Sequence, residues 1–188
     1  MITIKRTTFF FVVGLISLIV SSGCGDFDRR TQFNTTYTNR VTLDSGNTKP
    51  GSEMEAKSDT LIIDFIGTVK DHSSSESSIE SVVISGLSIE VDPFKSDKSE
   101  NLGFLESMEI YLKGKDMDEV LLAKTDSVPP YRYFEIQVIP EGEDFTDLIK
   151  TEEFTCRMIY TTKRQLKDSA VVVKITPEYL IDTRVFGI

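Results

Sequence analysis

Phe154-Thr155-Cys156-Arg157-Met158-Ile159-Tyr160 is the stretch on which the fold turns. Phe154, Cys156, Met158 and Tyr160 fall on every second residue, with Thr155 and Arg157 between them. Side chains of a β-strand point alternately to its two faces, so this period makes one apolar face and one polar face. Working outward, the same period recurs. Phe33, Thr35, Tyr37, Asn39, Val41 and Leu43 share a face in a first strand, and Ile79, Val83, Leu87, Ile89 and Val91 mark another that ends at Pro93. Met108, Ile110 and Leu112 mark a third, Glu119 to Ala123 a return strand, and Tyr133 to Ile139 the next. Ala170 to Ile175 and Tyr179 to Phe186 complete the set, and Pro177 between them demands a bulge, an edge or a break.

Turn chemistry separates these runs. Residues 44–58 are rich in Ser, Gly, Lys and Glu around Pro50-Gly51 and read as a loop. Gly114 to Asp118 and Pro140 to Glu143 read as turns, and Pro129-Pro130 as a break. Leu61, Ile62, Phe65, Ile66 and Val69 have helical spacing with Ser58 or Asp59 as N-cap, while their β-branched content leaves a strand open. Phe145 to Ile149 has the length of one helical turn. Short alternating strands divided by turns predict a mainly β chain: an antiparallel, immunoglobulin-like β-sandwich of seven to nine strands with one or two short helices. Alternation rather than continuous apolar runs argues against a parallel α/β sheet.

The N-terminus has a different character. Lys5 and Arg6 precede an apolar run from Phe9 to Val20, and Ser21-Ser22-Gly23-Cys24 closes it. A basic start, a short apolar stretch and small residues at its exit make a secretory signal peptide. About 20 apolar residues are needed to span a bilayer, and this run has only about a dozen. Gly23-Cys24 resembles the bacterial lipobox, although Ser21 stands where that family prefers Leu, Val or Ile. The resemblance implies a diacylglycerol thioether on Cys24, cleavage before it and acylation of the new amine with a palmitate-type chain. Three regions are thus expected: residues 1–23 as signal, 24–31 as lipidated tether and 32–188 as one β-sandwich domain. Gly25 after the cysteine implies the outer membrane, whether on its surface or its periplasmic face. Leu102-Gly103-Phe104-Leu105-Glu106-Ser107-Met108-Glu109-Ile110-Tyr111-Leu112, with Val120-Leu121-Leu122-Ala123, resembles small uncharacterised β-sandwich envelope lipoproteins of Bacteroidetes-type bacteria.

Losing the signal removes two cations and no acid, taking the formal charge from −9 to −11. Such a field repels nucleic acid and anionic headgroups. With Cys24 lipidated, Cys156 stands alone and reads as a small buried hydrophobe. The chain has a single histidine, His72, in the Ser-rich stretch His72 to Ser78. A Ser-His-Asp site is then possible only through His72, in a flexible segment with no fixed geometry, and a two-histidine metal site is excluded. Asp116, Asp118 and Glu119 cluster in one turn, and Glu141, Glu143 and Asp144 in another. Neither cluster matches an EF-hand loop. No catalytic residue, metal or cofactor is expected. Tyr131, Arg132 and Tyr133 after Pro129-Pro130 are the candidate binding surface, for an envelope protein or a glycan. The leading expectation is a membrane-anchored, non-catalytic binding or structural module. The alternatives are a carrier of lipid or another apolar ligand, with 61–69 covering a cavity, and an acid-based hydrolase.

Overall fold

A computed structural model describes residues 32–44, 50–72, 74–96, 101–139, 142–166 and 170–184. The signal, Cys24 and the tether lie outside these residues. Ten strand segments form two antiparallel sheets. Sheet A contains β1 (Gln32–Thr36), β2 (Asn39–Asp44), β5 (Ile79–Val91), β8 (Tyr133–Ile136) and β10 (Ala170–Thr183). Sheet B contains β3 (Met54–Lys57), β4 (Leu61–Ile62), β6 (Leu105–Gly114), β7 (Glu119–Thr125) and β9 (Glu153–Thr162).

Both β1 and β2 run along the same side of β10, and both β3 and β4 along the same side of β9. Each pair is one edge strand interrupted in the middle. Counted so, there are eight strands, ordered first–eighth–third–sixth in sheet A and second–seventh–fourth–fifth in sheet B. First pairs with eighth, second with seventh, third with sixth and fourth with fifth, as in one long hairpin rolled over itself. This is the two-Greek-key order of a jelly roll. The expected antiparallel sandwich is present, but its order is the jelly-roll one and not the immunoglobulin type. Alternation dictates which face of a strand is buried and is silent on which strands become neighbours.

Residues alternate buried and part-exposed along the whole of β9 and β10. The inward set meets between the sheets: Leu43, Ile89, Ile110, Leu112, Phe154, Met158 and Tyr179 are among its fully buried members. Cys156 belongs to it as expected, and burial pushes its thiol pKa up to about 12. A thiol so shielded is a poor nucleophile at neutral pH. Iodoacetamide at pH 8 is therefore expected to leave Cys156 unalkylated in the folded protein and to modify it in urea, as read by peptide mass mapping.

Several local expectations are corrected. The 44–58 stretch is not all loop, since Met54–Lys57 pairs with Arg157–Tyr160 as an edge strand. The 61–69 stretch is split: Leu61–Ile62 is strand, and the helix α1 spans Phe65–Asp71. Its N-cap is Asp64, whose Oδ1 accepts from the Gly67 amide at 2.7 Å, rather than Ser58 or Asp59. Ser58 instead repairs the β3/β4 interruption: its amide donates to the Cys156 carbonyl and its Oγ accepts from the Cys156 amide, both at 2.8 Å. Phe65 and Val69 are buried and fill the space beneath the segment. The first expected strand is likewise two segments, parted at Tyr37-Thr38.

Pro177 does not break β10, which runs on to Thr183. On one side β2 stops at Ile175 and β1 starts at Glu178, so no strand residue pairs with Thr176 or Pro177 there. On the other side the register with β5 slips by one residue just after Glu178. A proline, which has no N–H, is accommodated where the ladder is already interrupted. The short helix α2 (Thr146–Ile149) forms where one helical turn was expected.

Candidate functional site

The slip beside Pro177 shapes the outward face of sheet A. There, Lys174, Glu90 and Tyr133 stand in one cross-strand row, and Thr176, Ser88 and Glu135 in the next. The third row is Thr36, Glu178 and Gly86. Gly86 contributes no side chain, so the face sinks at that point. Ser85 is the extra residue of the bulge, between Ile84 paired to Tyr179 and Gly86 paired to Glu178. Its hydroxyl donates to the Glu178 carbonyl at 3.3 Å. The result is a groove of about 710 Å³ whose far wall is Gln137, Val138 and Gly142. That volume is in the range of small-molecule sites.

The lining is mixed, with polar and apolar surface in similar measure: Val83, Ile136 and Val138 stand beside two carboxylates, Glu135 and Glu178, and no Lys or Arg is among the lining residues. Tyr133 donates its hydroxyl to Glu135 Oε1 at 3.0 Å, and Asn34 Nδ2 donates to Glu178 Oε1 at 2.9 Å. The hydrogen bond to Glu135 raises the Tyr133 pKa above the ordinary phenol range. The Tyr133 ring keeps half its surface, 50%, exposed. Thr176 is bridged to Thr38 at 2.9 Å across the β1/β2 interruption. Lys174, one row away, pairs with Glu90 at 3.3 Å. The groove therefore offers an aromatic face, carboxylate oxygens and hydroxyls, with no basic group to neutralise them.

Of the three residues expected to form a binding surface, only Tyr133 lines this groove. Tyr131 and Arg132 precede β8 and are held by their carbonyls, which accept from the amides of Leu102 and Val91. Tyr131 remains 64% exposed, and Phe94, beyond the end of β5, is 91% exposed. Sequence reading did not find Gly86, Ser88, Glu135, Thr176 or Glu178. An isolated Gly inside an alternating strand was the one available signal, since it suggests a bulge.

Several other chemistry-bearing residues have structural partners. His72 caps α1 and stacks on Phe33, with ring centroids 3.9 Å apart. Glu119, from the first acidic turn, is bound by Arg157, which holds its pKa below the usual carboxylate range. Asp144, from the second, accepts from the amides of Val82 and Thr146. On the outward face of sheet B, Arg157 also lies 4.2 Å from the Tyr111 ring centre, and Tyr111 donates to Glu109. Among the described residues, no three His, Cys, Asp or Glu side chains converge on a metal position. Nor is any described helix long and apolar enough to cross a membrane.

The fold and groove together define a jelly-roll β-sandwich with an open, acidic recess of mixed polarity on one sheet. No protein-family model and no curated protein matches the chain. Among solved structures it is similar to a chain of Desmodium yellow mottle tymovirus. The identity is 8% over 82% of this chain and 90% of that one, with a TM-score of 0.23, a likeness that carries no argument.

Proposed function

We propose that the protein is a lipid-anchored envelope lipoprotein, held at the outer membrane through Cys24, that acts as a non-catalytic binding module. The observation that carries the anchor is the apolar run Phe9 to Val20 closed by Gly23-Cys24. Each buried CH₂ contributes about 0.8 kcal/mol, so two or three acyl chains hold a protein firmly on a bilayer. Binding is supported by the sheet A groove, whose lining of carboxylates, hydroxyls and aliphatic side chains is open to solvent. The partner is an envelope component or a glycan, and the acidic field of the chain disfavours nucleic acid.

Metabolic labelling with an alkyne-tagged palmitate tests the anchor. The expected result is label on the wild-type protein and partition into the detergent phase of a Triton X-114 extract. Cys24→Ala should abolish both. Equal labelling of Cys24→Ala, or an unlabelled wild type in the aqueous phase, would overturn the reading.

A further inference from the structure

We propose that the sheet A groove binds an uncharged glycan chain, lying across Gly86 with a sugar ring on Tyr133 and hydroxyls on Glu135 and Glu178. The inference rests on the binding-module reading above and names the ligand class of that site.

The chemistry of the lining favours this occupant. An ionised carboxylate only accepts hydrogen bonds, and a hydroxyl donating to one makes a charge-assisted bond stronger than a neutral one. Asn34 and Tyr133 occupy the Oε1 atoms of Glu178 and Glu135, orienting both groups. Each carboxylate has a second oxygen, which a ligand rich in hydroxyl donors engages in this arrangement. Ser88, whose Oγ donates to the Thr176 carbonyl at 3.5 Å, and Thr176, whose Oγ1 is shared with Thr38, lie in the row between Tyr133 and Glu178 and keep lone pairs that accept from a hydroxylated ligand. The half-exposed Tyr133 ring supplies an apolar face at low entropy cost. An anionic polymer would meet two carboxylates and no cation among the lining residues. A protein partner needs about 800 Å² of complementary surface with an apolar centre, and here the centre is a recess at a glycine flanked by hydroxyls.

Gly86 makes the recess testable. A Cβ built there meets only Glu178, at 3.3 Å from the carboxylate Oε2 and 3.8 Å from Cβ. The carboxylate is the far end of a flexible side chain, so a larger residue should fill the groove without moving the sheet.

The experiment uses the full chain in a detergent without a sugar headgroup, titrated calorimetrically with malto-, cello-, xylo- and mannohexaose. Hexagalacturonate and hexalysine serve as the anionic and cationic probes. At least one neutral hexaose is expected to bind saturably and hexagalacturonate not at all. Gly86→Leu and Tyr133→Ala should each weaken that binding at least tenfold, while Lys115→Ala in the β6–β7 turn leaves it unchanged. Near-UV circular dichroism confirms folding, and the exposed Tyr133→Ala still decides the matter should Gly86→Leu unfold. Silence from all four neutral hexaoses overturns the proposal, as does undiminished binding by both groove variants. Saturable hexalysine binding in their place also overturns it and assigns the groove to basic peptides. Because the titration is done in micelles, its failure leaves the palmitate result standing, and the reverse.

Discussion

Phe154→Ala is expected to lower the unfolding free energy by about 3–5 kcal/mol, as for other phenylalanines truncated in a packed core. Phe154 is only 1% exposed and lies on the inner face of β9, paired with Leu61 on one side and Gly114 on the other. Its neighbours belong to ladders that fix them on both sides, so the space it leaves can close only in part. The urea midpoint should fall by about 1 M or more at unchanged slope. Thr155→Ala, one residue along and on the outward face, should cost about 0.5 kcal/mol or less. Equal shifts in the two variants would mean that the face assignment of β9 is wrong.

Asp92→Ala is the second large effect, about 2–3 kcal/mol, the range for hydrogen bonds to a buried charge. Asp92 directly follows β5, and its side chain is 2% exposed. Oδ1 accepts from the Phe94 amide at 2.9 Å, and Oδ2 accepts from Arg40 Nε at 3.0 Å. Its own amide donates to the Val172 carbonyl, and its carbonyl accepts from Ser96. One residue thus ties the chain leaving sheet A to both β2 and β10. The Phe94 amide, followed by the bond and charge of Arg40, lowers its pKa from the ordinary 3.8. A depressed acid pKa contributes stability that is complete above the unfolded value and is lost as pH falls through the folded one. The difference between wild type and Asp92→Asn should therefore be full near neutrality and shrink below about pH 4. A difference independent of pH from 7 to 2 would remove the charge from this account. Asp92→Asn should lose less than Asp92→Ala, because the amide oxygen still accepts from Phe94.

These two positions differ in how far the sequence disclosed them. The alternation of 154–160 was enough to place Phe154 inside. Local patterns also located β5, the β6–β7 hairpin and the single turn of α2, but β5 stops at Val91 rather than Pro93, and its bulge at Ser85 buries Val82 and Ile84 instead of Val83. Met54–Lys57 escaped because an edge strand is paired on one side only, and Met54 and Ala56 are the only apolar residues in a polar stretch. The bulge, edge or break demanded at Pro177 is met by the bulge against β5 and by the interrupted strand on the other side, while β10 itself continues. Asp92 looked like the polar end of a strand, and its anchoring depends on Arg40, 52 residues earlier. The groove was hidden for the same reason. Glu178, Gly86 and Thr36 meet through two strand registers, and no local pattern carries a register. Tyr133 alone was visible, since an exposed aromatic beside a proline break needs no tertiary information.

On the lipid anchor proposed above, the two interrupted edge strands have a consequence for copies crowded on a bilayer. Tethered copies of one domain meet sideways, at far higher local concentration than in solution, and an open sheet margin invites them to zip together. Here the margins are cut short. On the interrupted sides β1, β2, β3 and β4 run only five, six, four and two residues, and opposite them β8 runs four and β7 seven. A neighbour docking on any of them would gain a handful of backbone bonds before its partner strand ended or turned away. The same gaps that make room for a proline and shape a recess also keep adjacent molecules from growing into a fibre.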